Sequence, residues 1–133
     1  MINATTCQRF ARILRAKRDT NPGVCFVTRT RNMKVKVLGR RTKSPTVLLM
    51  AFSFEDVRSN GTALCLGEFV FTQTEVKRFL DAITHHGIKV TAVHNHWLFD
   101  DPRLIYIHWE AIMEPLRFAR ISSRAIDIAM GKK

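Results

Sequence analysis

Residues 66–97 read LGEFVFTQTEVKRFLDAITHHGIKVTAVHNHW, and this stretch contains the local patterns that decide the fold. Thr72 and Glu75 have the S/T-x-x-E spacing of a capping box, in which two side chains satisfy free N–H groups at a helix start. Gly87 suits the left-handed conformation that often follows a helix end. The apolar residues at helical spacing in between are Val76, Phe79, Leu80 and Ile83. The stretch therefore predicts a strand, a helix over 73–86 packed on a sheet through these four side chains, and a second strand.

The rest of the chain adds two helices and more strands. Residues 4–18 and a segment that begins at Pro115 have helical apolar spacing. The strand candidates are residues 24–30, 33–38, 47–54, 63–71, 88–97 and 103–110. The first two predict a hairpin around Arg31 and Asn32. Because strands come in runs, we expect an α+β fold with a largely antiparallel sheet of about six strands, in the order α-β-β-β-β-α-β-β-α. A chain of 133 residues suits a single domain over residues 1–133.

Three cysteines, Cys7, Cys25 and Cys65, are widely spaced and form no CxxC pair. An odd, scattered set predicts reduced thiols, with Cys25 and Cys65 as small buried side chains. The first residues lack the apolar core of a secretory signal, and no apolar run has the roughly 20 residues needed to span a bilayer. These observations predict a soluble, cytoplasmic protein.

The net charge of +11 lies in the first third of the chain. Residues 1–43 hold 12 Lys/Arg and one acid, Asp19, whereas the remainder is balanced. Such asymmetry favours an anionic partner, such as nucleic acid or another polyanion, although a solvated basic face that aids solubility explains it equally well. The candidate anion-binding residues are Arg40, Arg41 and Lys43 in the loop 39–45 and Arg117, Arg120 and Arg124 on the last helix. No recognised nucleic-acid-binding motif accompanies them.

Three histidines cluster near the end of the predicted sheet. His94 and His96 are two residues apart, so on a strand they share one face. If the segment 98–102 forms a simple turn, then His94 lies opposite Tyr106 and Ala92 lies opposite His108. His108 is then a diagonal neighbour of His94 on the same face. A shift of one residue in this register moves His108 to the other face.

Glu68 is the fourth candidate, because a carboxylate on an apolar strand needs a partner. Three imidazoles and one carboxylate suit Zn²⁺ or another divalent metal. In that interpretation His94, His96 and His108 are ligands, and Glu68 is a ligand or a catalytic general base. Glu68 or a backbone carbonyl would also accept the second ring N–H of a ligand, which Asn95 cannot reach from the opposite face. The alternative is a polar sheet end whose histidines bond to the backbone or to Tyr106.

The block from Leu66 to Ala111 resembles the core of the LppY/LpqO lipoprotein family, a domain of unknown function. The motif positions that match are Gly67, Glu68, His94, Asn95, His96, Pro102, Arg103 and His108. The resemblance implies a short, soluble member without a signal peptide, since Cys7 has no apolar segment before it. It implies no biochemical activity, and the glutamate at position 68 departs from the aspartate expected there.

Two functions of different kinds therefore compete, and the sequence leaves open whether the protein is an enzyme. The first is a metal-binding or metal-dependent protein that uses the His-x-His site. The second is a non-catalytic module that binds nucleic acid or another anionic partner through the basic first third. A regulator that binds a protein partner, with a purely structural histidine cluster, is a third interpretation.

Overall fold

The computed structural model describes residues 2–19 and 21–132. In these residues, helices and strands follow in the order α1 (Ala4–Ile13), β1 (Lys17–Asp19), β2 (Val24–Thr30), β3 (Val35–Val37), β4 (Arg40–Thr42), α2 (Pro45–Leu48), β5 (Leu49–Glu55), β6 (Ala63–Thr72), α3 (Gln73–Ile83), β7 (Lys89–His94), β8 (Asp100–Asp101), β9 (Leu104–Met113) and α4 (Pro115–Ala129). Within this part of the chain, no helix combines the length and the apolar character needed to cross a membrane.

The strands form two antiparallel sheets. The main sheet has six strands in the order β1-β2-β5-β6-β9-β7, and the small sheet has three in the order β4-β3-β8. The predicted α+β class and the six-stranded antiparallel sheet are therefore confirmed. The predicted elements occur in the predicted order, and the structure adds four short ones: β1, β4, α2 and β8.

The predicted capping box starts α3. Both of its hydrogen bonds are present, including the one that the Thr72 backbone N–H donates to Glu75 Oε1 at 2.8 Å. Phe79 and Ile83 are completely buried, while Val76 and Leu80 are partly buried against the core. The helix ends at Ile83 rather than at residue 86, and Gly87 has the left-handed φ of 76° that the sequence predicts. This helix therefore packs on the sheet as its apolar stripe indicates.

One face of the main sheet carries the helices α3 and α4 and holds most of the core. Gly67 illustrates how tightly this face is packed: a Cβ atom there would lie 2.9 Å from the Trp109 ring and 3.0 Å from Phe52. The Trp109 indole is buried and donates a hydrogen bond to the Ser122 hydroxyl of α4 at 3.0 Å. The absence of a side chain at position 67 thus lets the indole lie against the sheet.

The opposite face of the main sheet is the open face. The side chains of β9 on this face are those of Tyr106, His108 and Glu110. They alternate with buried residues that point toward the helices. One end of this face is covered by α2, because the Tyr106 hydroxyl donates a hydrogen bond to the Val47 carbonyl at 2.7 Å. The remainder is accessible, and the polar side chains of the predicted site lie on it.

Several predicted boundaries are wrong, each for a local reason. The first helix ends at Ile13, because Arg15 takes the left-handed conformation (φ 54°) usually left to glycine, and Lys17–Asp19 then forms β1. The predicted strand 47–54 begins at Leu49 instead, because Val47 and Leu48 belong to α2, which has Pro45 in its first turn and Ser44 as its cap. The loop 39–45 likewise contains the short strand β4.

The predicted hairpin around Arg31 and Asn32 is also wrong. β2 pairs with β1 and β5, whereas β3 leaves the main sheet and pairs with β4 and β8. The Arg31 side chain turns into the main sheet, where it donates to the Val70 carbonyl at 3.0 Å and to Glu75. Alternation predicts that a segment is a strand, but it does not identify the strand's partner.

Reduced thiols were predicted for all three cysteines, and the structure corrects this for two of them. Cys7 of α1 and Cys25 of β2 form a disulfide, with Cα atoms 5.6 Å apart. Both are buried, because α1 packs against α4 and β1 and its Cys7 side chain reaches the neighbouring strand β2. Their 18-residue separation conceals this proximity. Cys65 is a buried free thiol as predicted, and burial raises its pKa to about 12.

The disulfide leads to a simple prediction about thiol content and stability. Unfolded, non-reduced protein should expose one thiol to a chromogenic disulfide reagent, and reduced protein should expose three. Replacing Cys7 and Cys25 with serine should lower the free energy of unfolding by about 3 kcal/mol. The reason is that a crosslink between residues 18 apart restricts the unfolded chain. Three reactive thiols without reductant would contradict the pairing.

Candidate metal centre

Strands β7 and β9 place two of the three histidines. They are antiparallel neighbours, with Ala92 opposite His108 and His94 opposite Tyr106, which is the register that the sequence favours. An irregularity between Val90 and Ala92 precedes this pairing. His94 and His108 therefore lie on the same face, and their ring centroids are 5.1 Å apart.

His96 reaches the same place by a different route than predicted. The strand β7 ends at His94 and does not continue to residue 97, so strand alternation does not orient His96. Its ring lies 4.5 Å from the His94 ring and 4.3 Å from Tyr106, centroid to centroid. Trp97, which follows, donates a hydrogen bond from its indole N–H to the Tyr106 hydroxyl at 2.8 Å. This bond ties the end of the segment to β9.

The three imidazoles lie close enough for one ion. One ring nitrogen from each of His94, His96 and His108 can be chosen so that all three lie within 4.8 Å of one another. Bonds of about 2.0–2.1 Å in a tetrahedral zinc site put ligand nitrogens roughly 3.3 Å apart. The rings are nearly parallel, at 14–16° to His94, so they must rotate to aim their lone pairs at a common point. His96 is exposed and the other two are half-buried, which leaves room for that rotation.

Glu68 is the direct partner of His108 across β6 and β9. Its Oε2 atom lies 3.1 Å from His108 Nδ1, and both side chains are partly exposed. This contact leaves Nε2 of His108 as the free nitrogen. The Nδ1 atom of His94 similarly lies 3.4 Å from the Asn95 backbone oxygen. A carboxylate or a carbonyl behind a histidine is the usual way in which proteins orient a metal-binding imidazole.

The electrostatics of the cluster favour a neutral His96 ring. Partial desolvation lowers the pKa of His96, and the neighbouring His94 and His108 lower it further, while Glu68 acts in the opposite direction. A neutral imidazole is the form that binds a metal ion. At neutral pH, His96 therefore presents a lone pair without first losing a proton.

A cavity of about 250 Å³ opens on the same face beside Glu68 and His108. Its other lining residues are mainly apolar and come from β2, β5 and β6: Phe26, Ala51, Phe52, Ser53, Leu66 and Gly67. The volume suits a small molecule with an apolar part. Reasoning from sequence missed Phe26 and Ser53, because they lie on strands whose pairing with β6 no local pattern indicates.

The other predicted site residues lie elsewhere. Among the described residues, His85 and His86 are exposed at the end of α3 and belong to no such cluster. Arg40 and Arg41 are exposed on β4, and Lys43 is exposed just after it. Arg117, Arg120 and Arg124 are exposed on α4, which packs on the helix-bearing face of the sheet. The structure thus brings Glu68 and three histidines together and leaves the two basic groups on separate elements.

Comparison with known proteins places this fold and cluster in a family. No curated protein and no solved structure matches the chain significantly. A family described as Domain of Unknown Function (DUF1259) matches residues 8–128, which include the histidine cluster, Glu68 and nearly all of both sheets. The chain therefore belongs to the DUF1259 family of domains of unknown function.

Proposed function

We propose that this protein binds a divalent metal ion, with zinc the best candidate, through His94, His96 and His108. The observation that carries the proposal is that three histidines from two segments converge within 4.8 Å on an accessible face. Three nitrogen donors are the ligand set of an open zinc site, in which a fourth position stays free for water or substrate. A bound zinc would supply Lewis acidity and a water that ionises near neutral pH.

Glu68 is best assigned as the group that orients His108, given the 3.1 Å between Oε2 and Nδ1. A catalytic role as a general base stays a prediction, since the carboxylate also borders the neighbouring cavity. That cavity would admit a small substrate beside the ion, and metal-assisted hydrolysis is the reaction class that such a site performs most readily. The protein is an enzyme only if a substrate binds in this cavity and reacts there.

The finer kinship is also a proposal. The block 66–111, which resembles the LppY/LpqO lipoproteins, falls inside the 8–128 match, and we propose that residues 1–133 form one LppY/LpqO-like domain. The cytoplasmic location expected from the sequence relied on the lack of a secretory signal and on reduced thiols. The disulfide between Cys7 and Cys25 instead favours an oxidising compartment.

The metal content of purified, untagged protein tests the proposal. After dialysis with zinc and removal of free ion, the wild type should retain about one zinc per chain, measured by inductively coupled plasma mass spectrometry. His94→Ala should abolish stoichiometric zinc, since two imidazoles alone hold it weakly. Lowering the pH below about 6 should release the ion, because protonated imidazoles cannot be ligands.

Two matched variants make the result specific. His85→Ala removes an exposed histidine outside the cluster and should leave one zinc per chain. Glu68→Gln should retain the stoichiometry but weaken the affinity by about 10–100-fold, the usual cost of losing an outer partner. Wild-type protein that holds no more zinc than a His94/His96/His108 triple-alanine variant would refute the metal centre and leave a hydrogen-bonded sheet end.

A further inference from the structure

The three most exposed large apolar side chains of the described residues belong to two backbone segments that are hydrogen-bonded to each other. Leu98 is 81% exposed, Leu38 is 72% exposed and Phe99 is 69% exposed. The Leu38 backbone N–H donates to the Phe99 carbonyl at 2.9 Å, and Val37 pairs with Asp100 in the small sheet. We call these three side chains the apolar tip. Scattered exposed leucines are ordinary, but three large exposed apolar residues on adjacent segments indicate a binding surface.

The backbone at Leu38 strengthens this inference. Leu38 and Gly39 connect β3 to β4, and both have positive φ, 52° and 76°. A two-residue hairpin turn of this kind favours Asn-Gly, because asparagine tolerates the left-handed conformation that strains leucine. Leucine here disfavours the turn and exposes an apolar side chain to solvent. Folding does not explain it, whereas a role in binding does.

Basic side chains lie on the strands that lead to and from Leu38. Lys36, Arg40, Arg41 and Lys43 are all exposed on β3, on β4 or just beyond them. Two acids lie nearby: Asp101 pairs with Lys36 in the register, and the buried Asp100 carboxylate faces Arg103 at 3.4 Å, so the four cations stay in excess. We call the four cations the basic collar. These four residues account for part of the +11 charge of residues 1–43.

We propose that the apolar tip and the basic collar dock the protein on an anionic membrane surface. Leu38, Leu98 and Phe99 enter the boundary between headgroups and acyl chains, and the collar contacts lipid phosphates and carboxylates. A nucleic acid would satisfy the cations, but its grooves offer no comparable apolar environment for two leucines. Leu98 and Phe99 of the tip directly follow His96 and Trp97 in the chain, so docking would bring the open face near the membrane.

Co-sedimentation of the full chain with vesicles tests this. Binding to vesicles of phosphatidylcholine with 30% phosphatidylserine should exceed binding to pure phosphatidylcholine, and salt should weaken it. Leu38→Asn should lower the affinity about tenfold, since an apolar anchor is lost. The same variant should unfold at the same temperature as the wild type or higher, because Asn-Gly suits the turn. A loss of binding therefore cannot be ascribed to misfolding.

Replacing Arg40, Arg41 and Lys43 together with glutamine should lower vesicle affinity about a hundredfold, at roughly fivefold per cation. Ile112→Thr is the matched control, because Ile112 is 68% exposed on β9 outside the tip, and its vesicle affinity should be unchanged. An equal loss with Ile112→Thr, or no effect of Leu38→Asn, would overturn the proposal. Tighter binding to a DNA or RNA duplex than to the vesicles, lost in the charge variant and unaffected by Leu38→Asn, would overturn it in favour of a nucleic-acid surface.

Discussion

Replacing Glu75 with glutamine is expected to lower the free energy of unfolding by about 3–5 kcal/mol, the range for breaking a buried ion pair. Arg31 holds both carboxylate oxygens of Glu75, at 2.7 and 2.6 Å, and the two side chains are only 14% and 9% exposed. Without the carboxylate, Arg31 keeps a buried charge that faces no anion, with the neutral glutamine oxygen, the Val70 carbonyl and the Phe69 ring as partners. The capping bond to the Thr72 backbone is weakened in the same variant.

Denaturant unfolding of the variant at pH 7 measures this effect. The matched control is Asp81→Asn, which breaks the exposed pair of Asp81 with Lys77 on the same helix and should change stability by less than about 1 kcal/mol. A second variant, with Arg31→Met and Glu75→Leu together, should recover part of the loss because no charge is left buried. Equal effects of Glu75→Gln and Asp81→Asn would contradict the assignment.

The same pair gives the stability a definite pH dependence. Burial alone raises the pKa of Glu75, but hydrogen bonds from Arg31 and the Thr72 backbone outweigh it, and the pKa is lowered overall. A carboxyl whose folded pKa lies below its unfolded value of about 4.3 stabilises the fold fully above that pH. This contribution is lost as the pH falls through the folded pKa. The stability gap between wild type and Glu75→Gln should therefore narrow in acid.

Truncating Phe79 to alanine should cost about 3–5 kcal/mol, because a large cavity would remain between α3 and the sheet. The ring is completely buried, and its centroid lies 4.5 Å from that of Phe71 and 4.7 Å from that of Trp109. Arg78→Ala, an exposed neighbour on the same helix, is the control and should have little effect. An unchanged unfolding midpoint in Phe79→Ala would contradict the packing of α3.

The parts of the fold that sequence reasoning predicts well depend on local physics. The capping box and apolar stripe identify α3, and alternation identifies every strand of the main sheet except β1. The partner of a strand or a side chain depends on the tertiary fold. The predicted hairpin around Arg31 was therefore wrong, and the ion pair between Arg31 and Glu75 was missed. The disulfide was missed for the same reason, since only packing of α1 on β2 brings Cys7 to Cys25.

Only part of the candidate site was predictable, namely the part that depends on the pairing of adjacent strands. His94 and His108 lie where pairing of adjacent strands puts them, so the register that the short connection favours was sufficient. His96 reaches the cluster from beyond the strand end, through contacts with Tyr106 and Trp97 that no spacing rule supplies. The apolar tip was not predictable from local patterns, because its two halves, Leu38 and 98–99, come together only through pairing of β3 with β8.

Zinc K-edge X-ray absorption on zinc-loaded protein tests the central claim most directly, because it reports the atoms bound to the ion. The expected spectrum has three imidazole nitrogens at about 2.0–2.1 Å and one further light atom, and His94→Ala should reduce the imidazole contribution. A sulfur at about 2.3 Å would assign the ion to a cysteine instead. A spectrum with oxygen ligands alone, or one unchanged in His94→Ala, would contradict a metal centre built from His94, His96 and His108.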